Sequence, residues 1–205
     1  MPCNMNTIMI FYKCCVNRIS FILSRFTKKM EKGLTQIFWG DGKGKTTAAL
    51  GTALRALNEN YKVYLVQFMK NGADSLEEQI PGEIKSLKKF PNFSCKRFGN
   101  GSWVSNEKEE HNEKVDEAFQ HLKDSLKNYD LVIADEILYA IQLNLLKENQ
   151  IIELIKSKPI TTELILTGSH KPFPQIFELA DLVTEVKKHK HPFDKGIQAR
   201  KGIDY

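Results

Sequence analysis

Residues 40–47 read Gly-Asp-Gly-Lys-Gly-Lys-Thr-Thr, and they stand between an apolar run, 34–39, and a segment with helical periodicity. Glycines let the backbone curl so that successive N–H groups converge on an anion, and the start of a helix adds positive potential. That order of strand, glycine-rich loop and helix confines the chain to a narrow set of α/β folds that bind phosphate. Leu50, Ala53, Leu54 and Leu57 follow at i, i+3, i+4 and i+7, the apolar stripe of a helix lying on a sheet. Gly40, Asp41, Gly42, Lys43, Gly44, Lys45, Thr46 and Thr47 are the candidate nucleotide-binding residues. Lys45 is expected to neutralise phosphate charge and Thr46 to ligate Mg²⁺. The spacing departs from the common G-x-x-x-x-G-K-[ST], because Trp39 occupies the first glycine position. Such a loop still forms an anion nest but seats a triphosphate differently from a standard hydrolase.

Downstream, short apolar runs alternate with amphipathic segments, as in a parallel sheet of about six strands with helices on both faces. The strand candidates are 34–39, 62–68, 93–98, 131–135, 163–167 and 182–186. Residues 106–128 read as one charged helix, with Asn106 as N-cap and Val115, Phe119, Leu122 and Leu126 facing inward. Gly72, Pro81, Gly82 and Pro91 break up 69–92, which reads as a loop-rich excursion. The run Leu131-Val132-Ile133-Ala134 ends in Asp135-Glu136. A carboxylate at the C-terminal edge of a parallel strand faces a phosphate loop, and magnesium prefers oxygen ligands, so Asp135 or Glu136 is expected to hold the metal or its waters. The alternative is an ordinary exposed strand end.

A chain of 205 residues, 41% hydrophobic and 27% charged, is long enough for one substantial core and lies within the range of folded globular proteins. We expect a single domain over 30–205 preceded by a leader, 1–29. The net charge of +5 does not support nucleic-acid binding: the acid-free leader carries all of the excess in Lys13, Arg18, Arg25, Lys28 and Lys29. The leader reads either as an organellar transit peptide or as a stretch upstream of a working start at Met30; its apolar runs are too broken for a membrane span. The expected location is the cytoplasm, or the mitochondrion if the leader targets it. Three of the four cysteines lie in the leader and no Cys-x-x-Cys occurs, so free thiols are expected. His189 and His191 have no accompanying ligand cluster and read as part of a solvated basic run. Neither Gly-x-Ser-x-Gly nor the guanine-selecting Asn-Lys-x-Asp occurs.

Several separated segments together resemble the cob(I)alamin adenosyltransferase family. They are 40–49, Arg55-Ala56, Val66-Gln67-Phe68-Met69-Lys70, Asp135-Glu136, Lys190-His191-Pro192-Phe193-Asp194-Lys195-Gly196 and Lys201-Gly202-Ile203-Asp204-Tyr205, in one collinear order across 31–205. The resemblance implies a P-loop NTPase-like sheet, usually in a homodimer, that moves the 5′-deoxyadenosyl group of ATP to a reduced corrinoid and releases triphosphate. It implies Mg²⁺ organised by Thr46 with Asp135 or Glu136, an electron-donor protein as partner, and a role for Arg55 beside the nucleotide, unless Arg55 is a surface residue or one half of a structural ion pair. Phe98-Gly99-Asn100-Gly101-Ser102-Trp103 resembles the family loop that presents aromatics to the lower face of the corrin ring, with Trp103 the candidate; the plain alternative for Trp103 is core packing. One position departs from the family: Thr167-Gly168-Ser169-His170 stands where Thr-Gly-Arg is expected, and a serine cannot supply a guanidinium. An ordinary P-loop ATPase or phosphotransferase is the alternative function, and a nucleotide-dependent interaction module is a third.

Overall fold

The computed structural model describes residues 30–70, 80–99 and 108–204. Six strands, β1 (Thr35–Trp39), β2 (Val63–Phe68), β3 (Phe93–Phe98), β4 (Leu131–Asp135), β5 (Glu163–Thr167) and β6 (Leu182–Glu185), form one sheet in the order β3-β2-β4-β5-β1-β6. Every neighbouring pair is parallel. Parallel strands require crossovers, and the helices supply them: α1 (Lys45–Asn58), α2 (Gly82–Leu87), α3 (Lys108–Ser125), α4 (Ile137–Gln142), α5 (Glu148–Ser157) and α6 (Pro174–Leu179). None of the described helices is long and apolar enough to cross a membrane.

Because side chains alternate across a strand, the two faces of the sheet can be read by parity. Val63, Leu65, Leu131, Ile133 and Ile165 pack with Ala49, Leu50, Ala53 and Leu57 of α1 and with Ile84 and Leu87 of α2. On the other face, Val66, Phe68, Val132, Ala134, Leu164 and Leu166 meet α3, α4, α5 and α6. The central strands are thus buried on both sides, which explains their nearly uninterrupted apolar sequence. Each fully buried aliphatic contributes about 1.5–3 kcal/mol relative to exposure.

Two expectations need correction. Leu54 is 50% exposed, and Ala49 takes its place in the buried stripe of α1, so the sheet covers a narrower face than the spacing suggested. The excursion 69–92 also contains a helix, α2, whose six residues bury only Ile84 and Leu87, too short a stretch to carry a visible period. By contrast, Val115, Phe119, Leu122 and Leu126 are buried as the periodicity of 106–128 requires. The Asn106 cap lies outside the described residues.

Candidate functional site

At the C-terminal edge of the sheet, β1 runs into the glycine-rich loop and the loop into α1. Gly44 is the N-cap, with φ 123°, and the first helical bond runs from the Ala48 N–H to the Gly44 carbonyl at 2.8 Å. Lys45, Thr46 and Thr47 therefore begin the helix with N–H groups that have no acceptor four residues earlier, the arrangement that receives an anion. Nothing lies within 4 Å of the position a Gly44 Cβ would take, so the approach to this nest is open. A cavity of about 310 Å³ sits over it, and Gly42, Lys43, Gly44, Lys45, Thr46, Thr47, Asp135 and Glu136 all contribute to its wall.

Beneath the cavity the parity of the strands lays a row of polar residues on the face covered by α1. Arg97 on β3 is in register with Gln67 on β2, and Gln67 with Asp135 on β4. The pairing of Ala134 with Leu166 sets Asp135 beside Thr167 on β5. Asp135 is fully buried. Its Oδ1 accepts from Thr46 Oγ1 at 2.7 Å and Thr167 Oγ1 at 2.6 Å, and its Oδ2 accepts from Gln67 Nε2 at 2.9 Å. Three donors compensate the burial of a carboxylate, which would otherwise be costly. Glu136, in the left-handed region at φ 65°, instead faces Lys70, whose Nζ lies 3.3 Å from Oε1. Its backbone N–H donates to Thr167 Oγ1 at 3.0 Å, so Thr167 ties the two acidic residues to β5.

Lys45 Nζ donates to the Gly40 carbonyl at 2.7 Å and the Gly42 carbonyl at 2.9 Å. Burial pushes its pKa below the usual lysine range, while Glu136 and Asp135 act in the opposite direction. Lys43 is paired with Asp204 of the C-terminal tail, a contact that brings Asp204 to the cavity wall. The tail grips the loop at further points. The Gly42 N–H donates to the Val186 carbonyl at 2.7 Å, and Asp41 Oδ1 accepts from the Lys188 N–H at 2.9 Å. That backbone donor holds the Asp41 carboxyl below its ordinary value.

Gly40, Asp41 and Arg55 are thus placed off the cavity wall. The Gly40 N–H donates to the Ser169 carbonyl at 3.0 Å, and Asp41 is turned to the tail. Arg55 is exposed in the last turn of α1, where a cation complements the helix dipole, about 15 Å along the axis from Lys45. Ser169 is fully buried; its hydroxyl lies 2.7 Å from the Lys171 carbonyl and 3.0 Å from Gln142 Oε1, with one proton to give to either, so a side chain at this position is directed into the turn after β5. His170 packs against Tyr139 in a tilted pair, with ring centroids 5.5 Å apart. Trp103 lies outside the described residues. Gln67, Lys70, Arg97, Thr167 and Asp204 join the site without having been singled out as site residues from the sequence.

For Mg²⁺, the donor set at Thr46 and Asp135 is all oxygen, as a hard cation requires. Among the described residues no group of three His, Cys, Asp or Glu side chains could enclose a metal. The fit is to an ion that takes its remaining ligands from phosphate and water, the usual habit of magnesium.

The model of the family described as ATP:corrinoid adenosyltransferase BtuR/CobO/CobP matches residues 31–205. The corrinoid adenosyltransferase of Escherichia coli strain K12 is 35% identical over 183 residues, covering 85% of this chain and 87% of that protein. The corrinoid adenosyltransferase of Salmonella typhimurium strain LT2 is 34% identical over 183 residues, with the same coverage of 85% and 87%. Among solved structures, a KaiC-like protein from the archaeon Pyrococcus horikoshii OT3 aligns with a TM-score of 0.51 at 18% identity, over 78% of this chain and 75% of that one. At that identity the likeness concerns the fold alone.

Proposed function

Because this chain belongs to the ATP:corrinoid adenosyltransferase family, we propose that it transfers the 5′-deoxyadenosyl group of ATP to the cobalt(I) of a corrinoid and releases inorganic triphosphate. The acceptor is cobalamin or cob(I)yrinic acid a,c-diamide, in adenosylcobalamin biosynthesis or salvage. The observation that carries this reading is the collinear family match across 31–205, joined to a phosphate loop whose Thr46 meets a buried acidic residue from the neighbouring part of the sheet.

In this reaction cobalt(I) supplies both electrons of the new cobalt–carbon bond. The bond from C5′ to the triphosphate oxygen breaks, its electrons leave with the triphosphate, and cobalt becomes cobalt(III). No phosphorus–oxygen bond is cut. The protein's work is to hold C5′ in line with cobalt and to stabilise charge on the departing triphosphate. The α1 N–H groups of Lys45, Thr46 and Thr47 supply fixed donors, and the Lys45 amine moves from the loop carbonyls to phosphate oxygens over a short distance. Thr46 and Asp135 would hold Mg²⁺, which would screen the triphosphate charge. Gln67 and Thr167 orient the Asp135 carboxylate.

Trp103 is assigned to the lower face of the corrin, where a flat apolar ring favours loss of the axial ligand and eases reduction of cobalt. Trp103→Ala should spare ATP binding yet lower transfer by about tenfold or more when cobalt(II) is the starting state; equal rates for variant and wild type would remove the role. An electron-donor protein, a homodimer and a cytoplasmic location complete the reading, with 30–205 as one catalytic domain and 1–29 as a leader.

Anaerobic incubation of the full chain with Mg-ATP and chemically reduced cobalamin tests the reaction itself. A light-sensitive cobalt–carbon absorbance accompanied by one triphosphate per product is expected. ADP released without dependence on the corrinoid would instead make the chain an ordinary ATPase.

A further inference from the structure

Among the described residues, four cations line the cavity: Lys43, Lys45, Lys70 and Arg97. The three lysines are explained by their surroundings. Lys43 and Lys70 are paired with Asp204 and Glu136, with side chains 48% and 33% exposed, and Lys45 belongs to the loop. Arg97, which also has an interaction partner within the protein, is set apart by its burial and its place in the sheet. It is only 7% exposed, it comes from β3 at the edge of the sheet, and it falls in none of the segments that carry the family resemblance.

Its position follows from register. Arg97 pairs with Gln67, which pairs with Asp135, so its Cα lies two strand spacings, about 10 Å, from that of the carboxylate at the phosphate loop. Parity turns it to the face of α1 and the cavity, with Cys95 and Phe93 packed against the same cluster. The cavity is continuous from Gly42–Thr47 to Arg97. A ligand seated on the loop that extends across the cavity therefore meets a guanidinium. A guanidinium presents a planar fork matched to phosphate oxygens, a geometry that a lysine amine does not offer.

We propose that Arg97 is a triphosphate-binding residue: it holds the phosphate group that reaches past those cradled by 42–47, and so selects three linked phosphates over two. The inference rests on the adenosyl-transfer reading for its role in turnover, where Arg97 would stabilise the triphosphate as it leaves. Its binding role needs no turnover.

The test is calorimetric titration of the full chain with magnesium triphosphate and with magnesium pyrophosphate, for wild type, Arg97→Gln and Arg97→Lys, with thermal melting of each protein. Arg97→Gln should weaken triphosphate binding about ten- to a hundredfold and change pyrophosphate binding by less than about threefold. Arg97→Lys should recover part of the loss, because it restores the charge but not the fork. A general loosening of the site would weaken both anions alike, so equal losses, or none, would overturn the proposal. If Arg97→Gln fails to fold, Arg97→Lys decides by the same ratio: a selective loss for triphosphate supports the assignment and an unchanged ratio removes it. Wild-type product analysis alongside keeps the two readings apart, since ADP as product would sink the adenosyl-transfer reading and leave the binding comparison intact.

Discussion

Asp135 is the residue on which the others at this site converge, with Thr46, Thr167 and Gln67 all donating to one buried carboxylate. Asp135→Asn replaces one acceptor oxygen by a donor, leaving at least one of the three facing another donor. The expected cost is about 1–3 kcal/mol in urea unfolding, together with loss of magnesium-dependent ATP use. Lys45→Ala should abolish ATP use by removing the cation at the nest. In wild type the lowered Lys45 pKa fixes a pH dependence. Between the lowered value and 10.5 the unfolded chain holds this proton and the folded chain does not, so Lys45 makes stability rise with pH in that window. ATP affinity, which needs the charged amine, should fall in the same alkaline window, before an exposed lysine would titrate; affinity constant up to pH 10.5 would refute this. Lys45, Thr46 and the pair Asp135-Glu136 were readable as motifs because their chemistry is packed into adjacent letters, although the sequence left open which of the two acids faces the loop. Gln67, Thr167 and Arg97 were not, since each lies on a different strand far apart in the sequence, and only the register of β3, β2, β4 and β5 aligns them.

At the scale of elements, the loop is shaped by what packs behind it. Gly40 has φ 114°, and a Cβ there would lie 2.4 Å from the Val186 carbonyl oxygen, immediately after β6. Gly40→Ala therefore combines backbone strain of about 1–2 kcal/mol with displacement of a rigid backbone neighbour. Its melting temperature should fall by at least about 2 °C, and ATP should restore less of the stability than in wild type because the nest is carried by the same loop. Melting at wild-type temperature would show that the tail after β6 gives way freely. The central strands and the long helices were legible because two-sided burial and a 3.6-residue period repeat over many residues. The six-residue α2 offers no such repetition, and Leu54 shows that a correct period leaves the width of the covered face undetermined.

Across the whole molecule, the C-terminal tail returns to the first loop of the fold, joining positions more than 140 residues apart. Asp41 meets Lys188, Gly42 meets Val186, and Lys43 meets Asp204, which also accepts from the Arg200 side chain at 3.0 Å. Lys43, followed by the Arg200 bonds, holds the Asp204 carboxyl well below the usual carboxylate range. The sign follows from that direction: tail docking through Asp204 is fully present above the unfolded value of about 3.9 and is lost only as pH falls through the lower folded value. No change is therefore expected between pH 5 and 8, whereas salt should act throughout, because Lys43 is half exposed and surface pairs are screened. At neutral pH, Asp204→Asn should speed amide hydrogen exchange over 196–204 while leaving β1 and β4 as protected as before. In wild type, 1 M salt should move exchange of the tail toward that of the variant, and in the variant salt should have less effect. If the tail exchanges at one rate in both proteins, the Val186 and Lys188 contacts alone hold it, and the sheet edge rather than the carboxylate fixes the tail against the glycine-rich loop.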